Sequence, residues 1–326
     1  MPLSPSILFT FLWSQFFVTP AYPRSDCTGK TIIVTGANVG LGKEAARHFV
    51  RLGVEKLILA CRTVEMGEKA KKEIEESSGR RGVVEVWRLD LLDYESVQSF
   101  AQRAEGLKRL DAVVENAGIA TRSFKLVNGH ESTIVTNVIS TFLLALLLLP
   151  TLKRNAQQYN IQPTLTIVSS EVQFFASFDE RHSNPIFSAL DDPKSNMEDR
   201  YQVSKLLEVL VCREWARLHP QPDYPVVLNF VNPGFCHSEL SREMSQDWGM
   251  WLMKKTLART TEVGSRTLVH AALAGPDTHG AYLSNTKITN PASLVLGNEG
   301  PGLQRKVWKE LEGILEEIQP GVTRNL

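Results

Sequence analysis

The stretch that decides the fold runs from residue 31 to residue 52 and reads TIIVTGANVGLGKEAARHFVRL. Thr31–Val34 is apolar and predicts a buried strand, and Lys43–Leu52 has the spacing of a helix. Gly36, Gly40 and Gly42 lie between them. Glycines at this point let the backbone turn sharply and approach a pyrophosphate, and a helix N-terminus offers unpaired N–H groups and a favourable dipole. The order strand, glycines, helix predicts a dinucleotide site, with an ordinary tight turn as the alternative.

Short apolar runs alternate with stretches of helical spacing along the rest of the chain. The expected strands are Thr31–Val34, Lys56–Ala60, Val83–Leu89, Asp111–Val114, Thr164–Val168 and Val226–Val231. The expected helices between them include Lys43–Leu52, Glu65–Glu76 and Tyr94–Ala104. Near-continuous apolarity is typical of parallel strands that are covered on both faces. The pattern therefore predicts an α/β fold with a doubly wound parallel sheet of Rossmann type, in a single domain with an elaborated C-terminal third.

Two apolar segments need a separate interpretation. Ile7–Val18 is too short to span a bilayer, and no basic residue precedes it. We expect residues 1–27 to form an N-terminal segment whose helix packs on the domain or on a membrane surface, with a true anchor or signal as the alternative. Ser140–Leu152 is also apolar, and we expect Pro150 to end a helix buried in the protein or at a subunit contact. Residues 28–326 are then the folded domain.

Composition excludes several classes of partner. The 36 basic residues balance the 36 acidic ones, so no net field favours nucleic acid or an anionic membrane. The four cysteines form no C-x-x-C pair and no cluster with histidine, so no metal site is expected. Cys61 and Cys212 lie within apolar runs, and buried thiols suit a reducing compartment. We expect a cytoplasmic protein, associated with membranes if its N-terminal segment contacts them.

The end of the second expected strand bears on the choice of nicotinamide cofactor. Dinucleotide folds that prefer NAD place an acid about 20 residues after the glycines to hold the ribose 2′-hydroxyl. Here Cys61 occupies that place, and Arg62 follows with a planar fork suited to a 2′-phosphate. The sequence therefore favours NADP(H) over NAD(H). An ion pair between Arg62 and Glu65 is the structural alternative for this arginine.

A second group of residues points to proton transfer. Ser169 and Ser170 follow the strand Thr164–Val168, at the carboxyl edge of the sheet where ligands bind. Tyr201 and Lys205 follow at positions i and i+4, which lie on one face of a helix. A free phenol has a pKa of about 10, and a nearby ammonium lowers that pKa towards neutral pH. A tyrosine beside a lysine is thus suited to general acid–base chemistry.

Four motifs follow one another along the chain: the spacing T-G-x-x-x-G-x-G, the turn after the fourth strand, the paired serines and Tyr-x-x-x-Lys. This is their order in the short-chain dehydrogenase/reductase family, which this chain resembles from Thr28 onward. The resemblance implies reduction of a ketone or aldehyde with NADPH, or the reverse alcohol oxidation. It also implies that Ser170 and Tyr201 hold the carbonyl oxygen. Tyr201 would donate the proton, and Lys205 would stabilise the phenolate and orient the ribose.

The same resemblance assigns roles to other positions. Asn137 would be a fourth catalytic residue that holds a water on a relay to Lys205, with a buried asparagine at a helix irregularity as the alternative. Asp90 would contact the adenine, with a helix N-cap as the alternative, although Asp93 is better placed as a cap. Glu115 stands where the family has asparagine, so its side-chain role is open while a backbone role remains.

The expected cofactor site also includes the segment after the last long strand, where Ser238 stands in place of the family's threonine. His237 has no visible acid partner and is interpreted as loop or pocket wall. The full set of expected cofactor-binding residues is Gly36, Asn38, Gly40, Leu41, Gly42, Arg62, Asp90, Asn116, Ala117, Gly118, Tyr201, Lys205, Pro233, Gly234 and Ser238.

The substrate is predicted to be a bulky hydrophobic carbonyl or alcohol. Ser170 and Tyr201 are 31 residues apart, a longer gap than the family usually has. We expect an apolar pocket or lid, with packing of this insertion on the domain as the alternative. The residues concerned are Phe174, Phe175, Phe178 and Phe187, together with Trp248, Met250, Trp251 and Met253.

The motifs around residues 60–62, 115–118 and 232–240 resemble the retinol-dehydrogenase-like and fungal natural-product branches of the family. We favour secondary-metabolite biosynthesis. The alternatives are a retinol- or steroid-like alcohol dehydrogenase, a membrane-attached scaffold and a non-catalytic nucleotide-sensing regulator. A homodimer is also compatible with the sequence.

Overall fold

The computed structural model describes residues 5–237, 240 and 255–326. Ten strands occur in this part of the chain: β1 Thr31–Thr35, β2 Lys56–Cys61, β3 Val84–Arg88, β4 Ala112–Glu115, β5 Leu126–Val127, β6 His130–Glu131, β7 Thr164–Val168, β8 Val227–Asn232, β9 Tyr282–Ser284 and β10 Lys287–Thr289. Eight of them form one sheet in the order β10-β9-β8-β7-β4-β1-β2-β3, in which only the β9–β10 pair is antiparallel. β5 and β6 form a separate antiparallel pair.

The order of the strands reverses next to β1. The chain runs from β1 to β2 and β3 at one edge of the sheet, and then returns to β4 and proceeds to the other edge. β1, β4, β7 and β8 are buried along their whole length, as parallel strands between two helical layers require. This is a doubly wound Rossmann-type sheet, as predicted. Ligands of such sheets bind outside the carboxyl ends of the strands at the point of reversal, here between β1 and β4.

Helices cover both faces of the sheet. They are α1 Pro5–Phe17, α2 Gly40–Arg51, α3 Val64–Ser78, α4 Tyr94–Glu105, α5 Ser132–Ile134, α6 Ser140–Tyr159, α7 Ile186–Leu190, α8 Arg200–Leu218, α9 Thr261–Ala272, α10 Ser293–Leu296 and α11 Gly300–Ile318. Short 3-10 helices occur at Glu171–Phe175, Asp179–His182, Pro276–Thr278 and Val322–Asn325. α2, α3 and α9 share one hydrophobic core, and α4, α6, α8 and α11 share the other.

The expected end of a helix at Pro150 is wrong. α6 continues through Pro150 to Tyr159. Proline lacks the N–H that would bond the carbonyl four residues earlier, which belongs to Leu146. The side chain of Asn325 supplies the missing donor, because its Nδ2 lies 3.1 Å from the Leu146 oxygen. The helical segment Ser132–Tyr159 is long and apolar enough to cross a membrane, but 94% of its most apolar window is buried inside the protein. It is therefore a core helix.

The insertion between β7 and α8 packs mainly on the domain. Phe178 and Phe187 are buried in the core, so the expectation that they line a substrate pocket is wrong and the packing alternative holds for them. Phe174 packs edge-to-face on Tyr282, with ring centroids 6.2 Å apart. Phe175 remains 40% exposed. The other expected pocket residues lie outside the described part of the chain; they are Trp248, Met250, Trp251 and Met253.

The N-terminal helix α1 is held on the domain by polar contacts. Ser14 is buried, and its carbonyl oxygen accepts a hydrogen bond from Arg259 Nη2 at 2.6 Å. The same nitrogen donates to the Val18 oxygen at 2.9 Å, and Asn285 Nδ2 donates to Ser14 Oγ at 2.8 Å. Large aromatic side chains on the rest of the helix are exposed to solvent, namely Phe9, Trp13, Phe16 and Phe17.

Candidate active site

The glycine loop after β1 forms a close-fitting cradle. Gly36 and Gly40 have φ angles of +63° and +59°, a region that favours glycine. A Cβ added to Gly42 would lie 2.6 Å from Asn116 Nδ2 and 2.6 Å from the Gly36 oxygen. Within the described part of the chain, no side chain caps the start of α2 at Val39. The helix N-terminus therefore keeps N–H groups that can bind a diphosphate.

Thr35 and Asn116 join the two loops at the point where the sheet order reverses. Thr35 Oγ1 accepts hydrogen bonds from the backbone nitrogens of Asn116 and Ala117, both at 2.9 Å. Asn116 Nδ2 donates to the Thr35 oxygen at 2.9 Å. Asn38 and Leu41 are half-buried at the rim of the same cradle. Asn116 and Ala117 thus shape the cradle through their bonds to β1.

Arg62, directly after β2, has a cationic side chain that is exposed to solvent. Cys61 is buried, and its thiol contacts the Thr63 oxygen at 3.6 Å. Arg62 is exposed, and no other described residue forms an ion pair or hydrogen bond with it. The expected alternative, an ion pair with Glu65, is therefore not formed. The guanidinium is available to a ligand at this edge of the sheet.

Asp90 and Asp93 have different roles at the end of β3. Asp93 caps α4, because its Oδ1 accepts from the backbone nitrogens of Glu95 at 3.1 Å and of Ser96 at 3.3 Å. Asp90 is half-buried, and its Oδ1 accepts from the Leu92 nitrogen at 3.1 Å. The alternative interpretation of Asp90 as the N-cap is therefore wrong, while a role towards the adenine stays a prediction.

Ser170 and Tyr201 meet at the carboxyl end of β7. α8 begins at Arg200, so Tyr201 lies in its first turn, where the nearby Ser170 hydroxyl lowers the pKa of the phenol. Ser170 Oγ also accepts from the Val172 nitrogen at 3.3 Å, which fixes its position at the start of a 3-10 helix. Ser169 points elsewhere, because its Oγ donates to the Lys205 oxygen at 3.0 Å. Ser170, rather than Ser169, faces the tyrosine.

Lys205 lies behind Tyr201 and is buried. Its Nζ is 5.9 Å from the centroid of the Tyr201 ring and donates to the Val168 oxygen at 2.8 Å and to Glu208 Oε1 at 2.7 Å. Burial lowers the pKa of Lys205, but Glu208 and Tyr201 outweigh this effect and the pKa is raised. Burial also raises the pKa of Tyr201, against the opposing effects of Lys205 and Ser170. The site therefore holds an ammonium beside a protonated phenol.

Asn137 lies in a π-helical turn, Val135–Ile139, between α5 and α6. Its Oδ1 accepts from the Ile119 nitrogen at 2.9 Å, and its Nδ2 donates to the Ile119 oxygen and to Ser204 Oγ, both at 2.9 Å. A Cβ added to Gly118 would lie 3.1 Å from Asn137 Oδ1 and 3.8 Å from Lys205 Nζ. The side chain thus ties the loop after β4 to α8, as expected for the structural alternative. Its water-holding role stays a prediction.

The loop after β8 carries the remaining expected cofactor residues. Gly234 has a φ angle of +81°, and its nitrogen donates to Asn232 Oδ1 at 2.9 Å. A Cβ added to Gly234 would lie 2.7 Å from Arg259 Nη1. Pro233 leads into this turn, and Ser238 lies outside the described residues. Arg259 therefore connects the loop to α1 on its other side.

Two buried carboxyl groups that interact with each other were not predicted, and one of them, Glu208, contacts Lys205. Glu208 is one turn beyond Lys205 on α8, and Glu115 ends β4. The signal for Glu208 was a lone acid within the apolar run LLEVLV, and the signal for Glu115 was its departure from asparagine. Neither pattern reveals that the two carboxyl groups interact with each other. Within the described ranges, no group of three or more potential ligands is placed to hold a metal ion.

Comparison with known proteins identifies the family. The family model described as short chain dehydrogenase matches residues 30–169. A short chain dehydrogenase/reductase of Cryptosporiopsis sp. is 48% identical over 322 residues, covering 97% of this chain and 99% of the relative. A short chain dehydrogenase of Emericella nidulans is 47% identical over 285 residues, covering 85% of this chain and 90% of the relative. The chain belongs to the short-chain dehydrogenase/reductase family, and it is an oxidoreductase.

Solved structures show the same fold at low sequence identity. A protein from Mycobacterium paratuberculosis superposes with a TM-score of 0.68 at 23% identity, over 92% of this chain and 98% of its own. A short chain dehydrogenase from Shigella flexneri, solved with NADP, has a TM-score of 0.57 at 22% identity, over 81% of this chain and 100% of its own. Members of this family use a nicotinamide dinucleotide, and the cradle before α2 fits such a cofactor.

Proposed function

We propose that this enzyme reduces a ketone or aldehyde on a hydrophobic small molecule with NADPH, or catalyses the reverse alcohol oxidation. The observation that supports this function is the placement of the Ser170 hydroxyl beside Tyr201, with the Lys205 ammonium behind the phenol at the ligand-binding edge of the sheet. Two hydroxyl groups can then reach one carbonyl oxygen, and one of them has a cation beside it.

The cradle supports binding of NADP(H). Gly36, Gly40 and Gly42 leave room for a diphosphate, the uncapped start of α2 attracts it, and the exposed Arg62 suits a 2′-phosphate. When bound, this cofactor supplies or accepts the hydride. The other residues that we assign to its site are Asn38, Leu41, Asp90, Asn116, Ala117, Gly118, Tyr201, Lys205, Pro233, Gly234 and Ser238.

The chain's own residues would stabilise charge and move a proton. Ser170 and Tyr201 donate hydrogen bonds to the carbonyl oxygen, which gains negative charge during reduction. The proton on Tyr201 Oη passes to that oxygen and leaves a phenolate. Lys205 stabilises the phenolate, since its ammonium is buried and close to the ring. Asn137 holds the loop beside Lys205 and would support the return of the proton.

The test of this function is Tyr201→Phe, measured by NADPH oxidation with a panel of carbonyl compounds. We expect kcat/KM to fall by about 100-fold or more, the usual worth of a general acid. Tyr94→Phe is the matched control, because it removes another half-buried phenol hydroxyl that has no partner among the described residues. The control should keep its activity. A Tyr201→Phe enzyme within a few-fold of wild type would exclude the mechanism.

The cofactor preference has its own test at Arg62. Because the guanidinium is exposed and unpaired within the described chain, we expect Arg62→Ala to lower kcat/KM with NADPH by about 10-fold or more, the scale of a lost charge-assisted hydrogen bond. The value with NADH should not change. Arg88→Ala, at the exposed end of β3, is the control and should affect neither cofactor. A wild-type enzyme that prefers NADH would contradict the assignment.

We place the substrate among bulky hydrophobic carbonyl compounds of secondary metabolism. The relatives named above come from fungi, and Phe175 is partly exposed in the 3-10 helix that follows Ser170. The panel should therefore contain polyketide-like and terpenoid-like ketones, retinal, a steroid ketone and small polar sugars. Turnover confined to the sugars would contradict this choice. Cofactor binding without turnover of any member would favour the nucleotide-sensing alternative.

We further propose that residues 1–27 attach the catalytic domain, residues 28–326, to a membrane surface. Residues 1–23 contain no charged side chain, and α1 exposes four aromatic side chains while Ser14 anchors it to the domain. Aromatic side chains of this kind insert at the interface of a bilayer. The full chain should co-sediment with neutral phosphatidylcholine vesicles, and a variant with Trp13→Ser and Phe17→Ser should not. Equal binding of both would contradict attachment through α1.

The protein would then be cytoplasmic and associated with membranes. Light scattering on the purified full chain would test whether the protein forms a homodimer, since a dimer has twice the mass of one chain.

A further inference from the structure

A buried cluster of three ionisable groups contains the proposed catalytic residue Lys205 and two carboxyl groups, Glu208 and Glu115. Lys205 Nζ donates to Glu208 Oε1 at 2.7 Å, and both side chains are almost wholly buried. Glu115, at the end of β4, is also buried, with 4% of its surface exposed. Glu208 Oε2 and Glu115 Oε1 are buried and have no hydrogen-bond partner among the described residues. The cluster thus contains one cation and two carboxyl groups, whose charges cannot balance if both carboxyl groups are ionised.

One of the two carboxyl groups must hold a proton near neutral pH, because a buried carboxylate without a cation is costly. Glu208 has the Lys205 ammonium in contact, whereas Glu115 forms no ion pair with any residue that the structure describes. Burial, reinforced by the charge of Glu208, raises the pKa of Glu115 well above its usual range. Burial also raises the pKa of Glu208, to about 7, although Lys205 opposes this. We therefore assign the proton to Glu115 and the negative charge to Glu208.

Other titratable groups of the described residues act on Glu115 and Glu208. On α8 they are Tyr201, Lys205 and Cys212. Burial raises the pKa of the Cys212 thiol well above its usual range, so this thiol is neutral. Ser169, at the end of β7, carries no charge, and its hydroxyl lowers the pKa of Glu208. With Glu115 protonated, the cluster is neutral overall, and its internal dipole points from Glu208 to Lys205.

We propose that Glu208 is a positioning residue that holds Lys205 in place and offsets its charge, so that Tyr201 keeps its proton and is set to donate it to a carbonyl oxygen. The inference rests on the proposed function, in which Tyr201 is the proton donor. An isolated ammonium at this position would draw the proton off the phenol at lower pH. The carboxylate at 2.7 Å cancels part of that field. Protonated Glu115 keeps a second negative charge out of the site.

The experiment is the pH profile of carbonyl reduction by Glu208→Gln, with saturating NADPH. Reduction needs the protonated phenol, so its rate falls at alkaline pH as Tyr201 ionises. Without the carboxylate, Lys205 acts on the phenol unopposed, and we expect this alkaline limb to move to lower pH. Glu115→Gln replaces a protonated carboxyl by a neutral amide of the same shape. The alkaline limb of the pH profile of Glu115→Gln should therefore stay at the wild-type pH.

Glu214→Gln is the matched control. Glu214 lies further along α8, is buried, and accepts from Arg217 Nη2 at 2.6 Å and from Gln304 Nε2 at 2.7 Å. This substitution disrupts a buried carboxylate of the same helix away from Lys205, so the alkaline limb should not move. A limb that moves equally in Glu208→Gln and Glu214→Gln would show a general effect of the helix and would overturn the proposal.

A second measurement keeps the proposal testable if Glu208→Gln does not fold. The phenolate absorbance of Tyr201 can be titrated in the wild-type protein by subtracting the spectrum of Tyr201→Phe. We expect the phenolate to appear at higher pH than in free tyrosine, for which the pKa is about 10. A phenolate that forms at lower pH than in free tyrosine would overturn the proposal, since Lys205 would then act without an effective counter-charge.

The outcomes separate the two proposals. If Tyr201→Phe keeps its activity, the proposed function fails and the alkaline limb belongs to another group. If Tyr201→Phe is inactive but Glu208→Gln has the wild-type limb, only the role of Glu208 fails. If the limb moves in Glu115→Gln and not in Glu208→Gln, the negative charge lies on Glu115 and the assignment within the pair is wrong.

Discussion

The shape of the glycine loop depends on close contacts between individual atoms at Gly42. At Gly42 the nearest atoms to an added Cβ are Asn116 Nδ2 and the Gly36 oxygen, each at 2.6 Å. Real Cβ atoms do not approach so closely, and both neighbours belong to the network that joins β1 to β4. Gly42 is therefore required by contact rather than by its backbone conformation. Gly40 differs, since its φ angle is +59° and no atom of the described residues lies within 4 Å of an added Cβ.

We expect Gly42→Ala to weaken NADPH binding by about 10-fold or more, because the methyl group would push Asn116 and the loop out of place. Fluorescence titration with NADPH measures the change. Gly313→Ala is the matched control, because Gly313 lies in an exposed turn of α11 and no described atom lies within 4 Å of the added Cβ. It should bind NADPH normally and gain about 0.5–1 kcal/mol in stability. Equal affinities of the two variants would contradict the tight fit at Gly42.

At the scale of elements, α6 shows how a helix can include an internal proline. Pro150 removes the donor to the Leu146 carbonyl, and the 3-10 helix at the end of the chain supplies Asn325 in its place. The packing of α6 in the core adds to its stability, because nearly all of its apolar side chains are buried. The rule that proline ends a helix does not hold here. The side chain of Asn325, distant in sequence, donates to the Leu146 carbonyl the hydrogen bond that Pro150 cannot donate.

A double-mutant cycle tests this contact. Asn325→Ala should lower the free energy of unfolding by about 1 kcal/mol, the usual cost of a lost hydrogen bond. In the Pro150→Ala background, the new backbone N–H can bond the Leu146 carbonyl, so the same substitution should cost less. Chemical denaturation of the four proteins gives the coupling energy. An identical cost of Asn325→Ala in both backgrounds would show that Asn325 does not replace the missing donor.

At the scale of the whole molecule, the doubly wound sheet brings distant segments to one edge. The glycine cradle precedes α2, Ser170 follows β7, and Tyr201 and Lys205 begin α8. The same architecture leaves all four cysteines buried and free; they are Cys27, Cys61, Cys212 and Cys236. Burial raises the pKa of the Cys27 and Cys61 thiols to about 11 and that of Cys236 to about 12.

The folded protein should therefore not react with a thiol-specific disulfide reagent at pH 8. A thiol must be both accessible and ionised to react, and none of the four meets either condition. In denaturant all four should react at once, which provides the control for the reagent. Absorbance of the released thiolate measures the number of reacted cysteines. A thiol that reacts in the native protein faster than the protein unfolds would contradict the burial of that residue.

The sequence by itself determined the features that depend on local pattern. The strand Thr31–Thr35, the glycines and α2 follow from neighbouring residues, and the alternation of strands and helices then determines the sheet. Tyr201 and Lys205 lie on one helical face because of their spacing, and Ser170 reaches them because parallel strands end at one edge. The expected strands agree with the observed ones to within about one residue at most of their ends, within the usual uncertainty of such boundaries.

Only the tertiary structure decided what depends on contacts between distant residues. Phe178 and Phe187 belong to the core because helices from elsewhere in the chain cover them, and no pattern within the insertion shows this. The carboxyl groups of Glu115 and Glu208 interact in the folded protein although 93 positions separate them, and no sequence pattern shows this. Pattern identifies periodic elements, whereas the pairing of buried charges is set by the three-dimensional packing of those elements.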